Sequence, residues 1–126
     1  MHELDDKNLA DVKAKEKICA FCRTPQKVKI TRTALNDIGL LGLTKNGVLE
    51  LIVEHIESKR RMFTDRMDNG DTAYIIEKCA FQDDLLLYVK VKFVKEEIVG
   101  EHGMERLNRQ TEELMVLISS HPPRRW

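Results

Sequence analysis

Apolar and polar positions alternate most regularly over residues 85–95, LLLYVKVKFVK. Successive side chains of a β-strand point to opposite faces of its sheet. One set of alternate positions is wholly apolar: Leu85, Leu87, Val89, Val91 and Phe93. The other set comprises Leu86, Tyr88, Lys90, Lys92 and Val94. The pattern therefore predicts a strand that packs its first face on the core and presents a phenol and two ammonium groups on the second.

Two further segments alternate in the same way. Gln26–Ile30 predicts a short strand with Val28 and Ile30 inward, and residues 72–81 (TAYIIEKCAF) predict a longer one. Because only three residues separate this longer segment from Leu85, we expect the two to form an antiparallel hairpin. The inward face of residues 72–81 is left open, since Glu77 falls on the same alternate positions as Ile75.

Helical spacing of apolar residues predicts the remaining elements. One helix begins at Thr31 or Thr33, either of which can cap it, and ends at Gly42. Thr44 caps the next helix, which we expect to reach residue 61, with Lys59, Arg60 and Arg61 in its last turn, where cations complement the helix dipole.

The two ends of the chain are predicted less sharply. Residues 1–17 carry a narrow apolar stripe that indicates a short, loosely attached helix or a flexible lead-in. Ile98 and Val99 indicate a short strand, and residues 105–120 predict a last helix with Leu107, Leu114 and Ile118 on one side.

The elements follow one another in the order β-α-α-β-β-β-α, after the weakly predicted N-terminal helix. Two helices followed by an antiparallel meander are typical of an α+β fold with the helices on one face of a small antiparallel sheet. The other face of the sheet is then open. It carries Tyr88, Lys90 and Lys92, a set that suits an anionic ligand such as a phosphate backbone. Alternatively, these lysines only keep a solvated sheet face from aggregating.

Composition narrows the class of protein. The chain of 126 residues is 42% hydrophobic and 33% charged, which is typical of one soluble globular domain. No apolar run approaches the roughly 20 residues of a membrane span, and the charged N-terminus lacks a secretion signal. We therefore expect a cytoplasmic protein without a membrane partner. A net charge of zero argues against a protein that coats nucleic acid through its overall positive charge, but it permits a local basic groove.

Three cysteines allow three interpretations. Cys19 and Cys22 form a CxxC pair, and Cys79 stands apart. An odd number of cysteines in a chain of this type does not describe a disulfide framework. A closed zinc site needs four ligands, and a redox CxxC normally opens a helix after a strand. We expect ordinary thiols and no cofactor, with zinc at these three cysteines as the alternative.

Several short motifs resemble one known family. They are the TRTAL run at Thr31–Leu35, the Leu-Gly-Leu at Leu41–Leu43, the basic element Lys59–Met62 and the Tyr-x-Lys at Tyr88–Lys90. The first two, with the helix that follows Leu43, make Lys29–Glu57 similar to the matching part of the MqsR-like toxins, and the other two extend the resemblance to roughly the middle half of the chain. These are mRNA interferases of bacterial type II toxin–antitoxin systems with the RelE-like fold.

The resemblance implies a domain plan and an activity. The plan has an N-terminal lead-in over residues 1–25, a single RelE-like domain over residues 26–120 and a tail over residues 121–126. The implied activity is metal-independent mRNA cleavage through the 2′-hydroxyl, by a toxin that a cognate antitoxin neutralises. Such cleavage needs groups that move protons and cations that stabilise the phosphorane.

We assign candidate residues on this basis. The candidate catalytic residues are Lys90, Tyr88 and His102, and the candidate RNA-binding residues are Lys59, Arg60, Arg61 and Lys92. The Trp-Gln-Asp-Val-Tyr block of the family has no counterpart, since this chain reads TAYIIEK there. The alternative is therefore a non-catalytic RNA- or protein-binding module on the same fold, with or without zinc at the CxxC. Homo-oligomerisation stays open.

Overall fold

The computed structural model describes residues 8–82, 85–97 and 111–122, which form an α+β fold. Its helices are α1 (Val12–Cys22), α2 (Arg32–Leu40) and α3 (Lys45–Glu57). Its strands are β1 (Asn8–Leu9), β2 (Val28–Ile30), β3 (Phe63–Arg66), β4 (Thr72–Gln82), β5 (Leu85–Glu97) and β6 (Thr111–His121). A single 3-10 turn, Pro25–Lys27, precedes β2. The strand predicted at residues 98–99 lies outside the described residues.

The strands form one sheet in the order β1-β3-β4-β5-β6-β2. The predicted hairpin of β4 and β5 is confirmed. The prediction of an antiparallel sheet is wrong in one place, because β2 pairs with β6 in parallel. The chain leaves β2 at one edge of the sheet, and α2 and α3 carry it across to β3 near the other edge. The parallel β2–β6 pair makes the sheet mixed.

Local hydrogen bonds begin and end the helices. At the start of each helix a side-chain oxygen accepts a hydrogen bond from the backbone N–H three residues later. This capping residue is Asp11 for α1, Thr31 for α2 and Thr44 for α3. The two threonine caps agree with the prediction, and Thr31 rather than Thr33 caps α2. The amide of Gly42, at φ 75°, donates to Gly39, and that of Leu43 donates to Ile38, so α2 ends in a Schellman motif.

The end of α3 corrects the predicted bounds of that helix. The backbone N–H of Lys59 donates to Ile56 and that of Arg60 to His55, which is the same Schellman arrangement. Lys59 occupies the left-handed position at φ 59°, where glycine is usual. Because no glycine or proline marks this stop, the pattern predicted a longer helix. Lys59, Arg60 and Arg61 therefore follow the helix instead of forming its last turn.

One face of the sheet carries the core and the helices. Leu87, Val89 and Val91 of β5 are buried there, as predicted, whereas Leu85 at the start of the strand is 47% exposed, contrary to the prediction. Buried residues of all three helices join the same cluster: Ile18, Cys22, Ile38, Val48, Leu49 and Ile52. The fold thus places three helices, not two, on this face. Helix α1 belongs to the packed layer, since Ile18 is buried and the ring of Phe21 packs edge-on against that of Phe93, with 5.0 Å between the ring centroids.

The helix predicted over residues 105–120 is wrong for its described part, because residues 111–121 form β6. This strand lies between β5 and β2 and pairs with both. Its apolar run, Leu114–Ile118, fits a strand that is buried on both sides: Met115 and Leu117 face the core, while Leu114 is only 5% exposed on the opposite side. A continuous apolar run cannot distinguish such a strand from a helix.

A β-bulge explains the ambiguous face of β4. Ile76 pairs with Val89 and Cys79 pairs with Leu87, with a register shift between them. Both Ile76 and Cys79 are therefore buried in the core although they are three residues apart. The alternation of the sequence changes phase at this bulge, so no single alternating set described the whole strand.

Candidate functional site

The outer face of the sheet, opposite the helices, carries the residues predicted for the site. Tyr88, Lys90 and Lys92 of β5 stand on it in a row. Each side chain is partly buried, and those of Lys90 and Lys92 are 21% exposed. The register brings Ser119 of β6 beside Lys90 and Ile75 of β4 to its other side. This row therefore lies on rigid strands, which hold side chains more firmly than loops do.

Tyr88 stacks on His121, the last residue of β6. Their ring centroids are 5.1 Å apart and the planes differ by 19°. The two residues are partners across the β5–β6 ladder. His121 Nδ1 lies 2.7 Å from the carbonyl oxygen of Pro122. In the neutral ring this nitrogen donates its proton to the carbonyl, which leaves Nε2 as an acceptor.

Burial is the main cause that raises the pKa of the Tyr88 phenol, and the negative charges of Asp65 and Glu77 raise it further. The phenol therefore stays protonated at neutral pH. In a reaction it can donate a hydrogen bond or a proton, but it is unsuited to act as a base. We call Tyr88, Lys90 and His121, with Asp65 beside them, the Tyr88 cluster.

The two lysines of the outer face each lie near a carboxylate. Lys90 Nζ is 3.8 Å from Asp65, and Lys92 Nζ is 3.5 Å from Asp71. Both acids come from the acidic segment at residues 65–71, which includes the end of β3 and the loop after it. The carboxylates are about half exposed, so each pair contributes little to stability, about 0.2–1 kcal/mol. The outer face is thus charge-balanced at these two positions.

The three basic residues that follow α3, at positions 59–61, have different neighbours from the lysines of the outer face. Lys59 lines a groove between α1 and the end of α3, and Arg60 lines a small cavity with His55 and Ala80. Arg61 accepts a hydrogen bond at its carbonyl from His55 Nε2, at 2.8 Å. Among the described residues, no ion pair or hydrogen bond links these three residues to Lys90 or Lys92. His102 lies outside the described residues.

The cysteines are packed as apolar groups. Cys19 and Cys22 lie in the second half of α1, and Cys79 in β4 places its Sγ 3.6 Å from Leu51 O. Burial raises the pKa of Cys22 to about 12 and that of Cys79 to about 11, and it also raises that of Cys19. Metal binding and redox chemistry both need thiolates. Within residues 8–82, 85–97 and 111–122, no three potential ligands are gathered for a metal ion.

His121 is the member of the cluster that sequence reasoning missed. The sequence pattern places it in a C-terminal tail, after a predicted helix, where it carries no signal. The signal appears only when residues 111–121 are read as a strand, because antiparallel pairing then sets His121 opposite Tyr88.

None of the described helices is long and apolar enough to cross a bilayer.

Comparisons with known proteins identify no relative. No family model, no curated protein and no solved structure matches this chain.

Proposed function

We propose that this chain is a metal-independent endoribonuclease with a RelE-like fold, the cytoplasmic toxin of a toxin–antitoxin system that cleaves mRNA. The single observation that carries the proposal is the Tyr88–His121 stack beside Lys90 on the outer face. It combines an imidazole, a phenol and an ammonium group on neighbouring strands. These are the types of group that cleavage through a 2′-hydroxyl requires. The motifs that resemble MqsR-like toxins support the same reading.

The chemistry assigns one role to each side chain. His121 Nε2 takes the proton of the 2′-hydroxyl, whose oxygen attacks the phosphorus and displaces the 5′-oxygen. Lys90 stabilises the negative charge of the phosphorane. Tyr88, which stays protonated, donates its proton to the leaving 5′-oxygen, so the products are a 2′,3′-cyclic phosphate and a 5′-hydroxyl. RNA has to displace Asp65 from Lys90, and the 3.8 Å separation and partial exposure make the free-energy cost of this step small.

The first experiment measures RNA cleavage by the purified protein and growth after induced expression. We expect cleavage in the presence of a metal chelator. Lys90→Ala and His121→Asn should each lower the rate about 10²–10⁴-fold, as removal of acid–base or charge-stabilising groups does. Lys95→Ala is the matched control, because Lys95 is exposed on the same strand and outside the Tyr88 cluster.

Thermal unfolding establishes whether the variants are folded. The proposal is rejected if expression is harmless and the pure protein leaves RNA intact, or if Lys90→Ala and His121→Asn cleave at the control rate. The antitoxin is tested separately: co-expression of the adjacent reading frame should restore growth and yield a complex with the toxin.

The second candidate function is a non-catalytic binding module for RNA or protein. The absent Trp-Gln-Asp-Val-Tyr block favours it, and so does the pairing of Lys90 with Asp65 and of Lys92 with Asp71, because paired lysines are less available to stabilise a phosphorane. Binding of single-stranded RNA without cleavage would support this function. Asp65→Asn should then strengthen binding, since it frees Lys90 for a phosphate, and should steepen the salt dependence by up to about 0.7 in the logarithmic slope.

A further inference from the structure

A half-open groove lies between α1 and the end of α3, in the helical layer and therefore away from the outer face of the sheet. Its cavity volume is about 570 Å³, within the range of about 300–1,000 Å³ that is typical of small-molecule sites. The residues that carry a role in the proposed cleavage, Tyr88, Lys90 and His121, do not line it, although Lys59, a candidate RNA-binding residue by sequence, does. An inference about the groove is therefore independent of that activity.

The floor of the groove is apolar. Val12 and Cys19 of α1 and Ile56 of α3 line it. Val12 is 69% exposed although it is a branched apolar residue at the start of a helix. Arg23, which follows α1, binds Glu57 at the end of α3 with a separation of 2.7 Å, so an ion pair joins the two helices beside the groove. Both residues of this pair also line the groove, so their charges cancel within its wall.

The rim of the groove is basic. Lys15 stands on the α1 side and Lys59 on the α3 side. Neither lysine has an ion-pair partner in the part of the chain that the structure describes, while Glu57 is neutralised by Arg23. Glu16 is the remaining acid among the described residues of the lining, so these residues together carry one excess positive charge. A ligand that carries an anionic group would restore the balance.

We propose that this groove binds a small amphipathic anion. Its apolar body lies on Val12, Cys19 and Ile56, and its carboxylate or similar anionic head lies between Lys15 and Lys59. A partner helix would need a longer row of apolar anchors, whereas among the described residues three apolar side chains line this floor and charged residues interrupt them. The size, the apolar floor and the two cations together favour a ligand with one apolar body of small-molecule size and one negative charge.

The test uses the full chain with decanoate as the probe and decanol as its uncharged counterpart. Binding is followed by the methyl NMR signals of Val12 and Ile56 and by calorimetry. We expect decanoate to shift both signals saturably and to bind at least about fivefold more tightly than decanol, the advantage of a partly exposed ion pair. Equal binding of the two probes, or shifts confined to other methyl groups, would overturn the proposal.

Variants locate the site and separate charge from folding. The affinity for decanoate should fall about fivefold in Lys15→Gln and in Lys59→Gly. It should stay unchanged in Lys13→Gln, because Lys13 is exposed and lies outside the groove. Val12→Asp should lower the affinity for decanoate much more than Val12→Asn does, because asparagine has the same shape as aspartate without its charge. An aspartate in the first turn of α1 also favours the helix dipole, so loss of folding does not explain the loss of binding. Identical affinities of the Val12 pair, or unchanged affinity in both lysine variants, would refute the site.

Discussion

Ser120 offers a direct test of the strand that replaced a predicted helix. Its side chain is 0% exposed on the core face of β6, opposite Val89, and its Oγ has no hydrogen-bond partner among the described residues. Its neighbour Ser119 is partly buried beside Lys90 on the outer face. The two serines therefore have different surroundings only because a strand alternates its side chains.

The magnitude follows from these surroundings. A buried hydroxyl without a partner costs about 1–3 kcal/mol. Ser120→Ala removes this cost, keeps the backbone pairing with Val89, and loses a few tenths of a kcal/mol of contact energy with the oxygen atom. We expect the free energy of unfolding to rise by about 1 kcal/mol, which corresponds to roughly 3–5 °C in Tm for a chain of this length. Ser119→Ala should stay within about 0.5 kcal/mol of the parent.

Urea unfolding and thermal melts of the parent and both alanine variants measure the difference. The urea dependence should keep the same slope, so that the change in midpoint reports stability alone. A loss of about 1 kcal/mol or more in Ser120→Ala would mean that the hydroxyl is satisfied in solution. A gain of equal size in both variants would contradict the assigned faces of β6.

Three further predictions use the same measurement. Burial lowers the pKa of His55 below its ordinary value of 6.5, so the contribution of the neutral ring to stability is fully present above about pH 6.5. This contribution should be lost as the pH falls through the folded-state pKa. The free energy of unfolding of His55→Gln should depend less on pH over the same range. Leu117→Ala should lower stability by about 2–5 kcal/mol, since Leu117 is 0% exposed, and a loss below about 1 kcal/mol would argue against its place in the core. Lys59→Gly should raise stability by about 0.5 kcal/mol, because glycine suits the φ of 59° at the end of α3; a loss would show that the Lys59 side chain contributes more than the relief of backbone strain.

The amino-acid sequence by itself determined the features that depend on near neighbours. The threonine caps of α2 and α3 need only a hydroxyl three residues before a free N–H. The alternation of β5 likewise sorted Val89 and Lys90 onto opposite faces before any partner strand was known. These interactions are local, so the residue types and their spacing predict them, although they left Thr31 and Thr33 as alternatives for the cap of α2.

The tertiary structure decided what depends on a partner far along the chain. Residues 111–121 form a strand because β5 and β2 lie on either side and satisfy its backbone. The bulge that brings both Ile76 and Cys79 into the core is defined only against β5. His121 joins Tyr88 because antiparallel pairing sets it there, although the two residues are far apart along the chain. Register and pairing arise from hydrogen bonds between distant segments, and an apolar run carries no record of which segment will supply them.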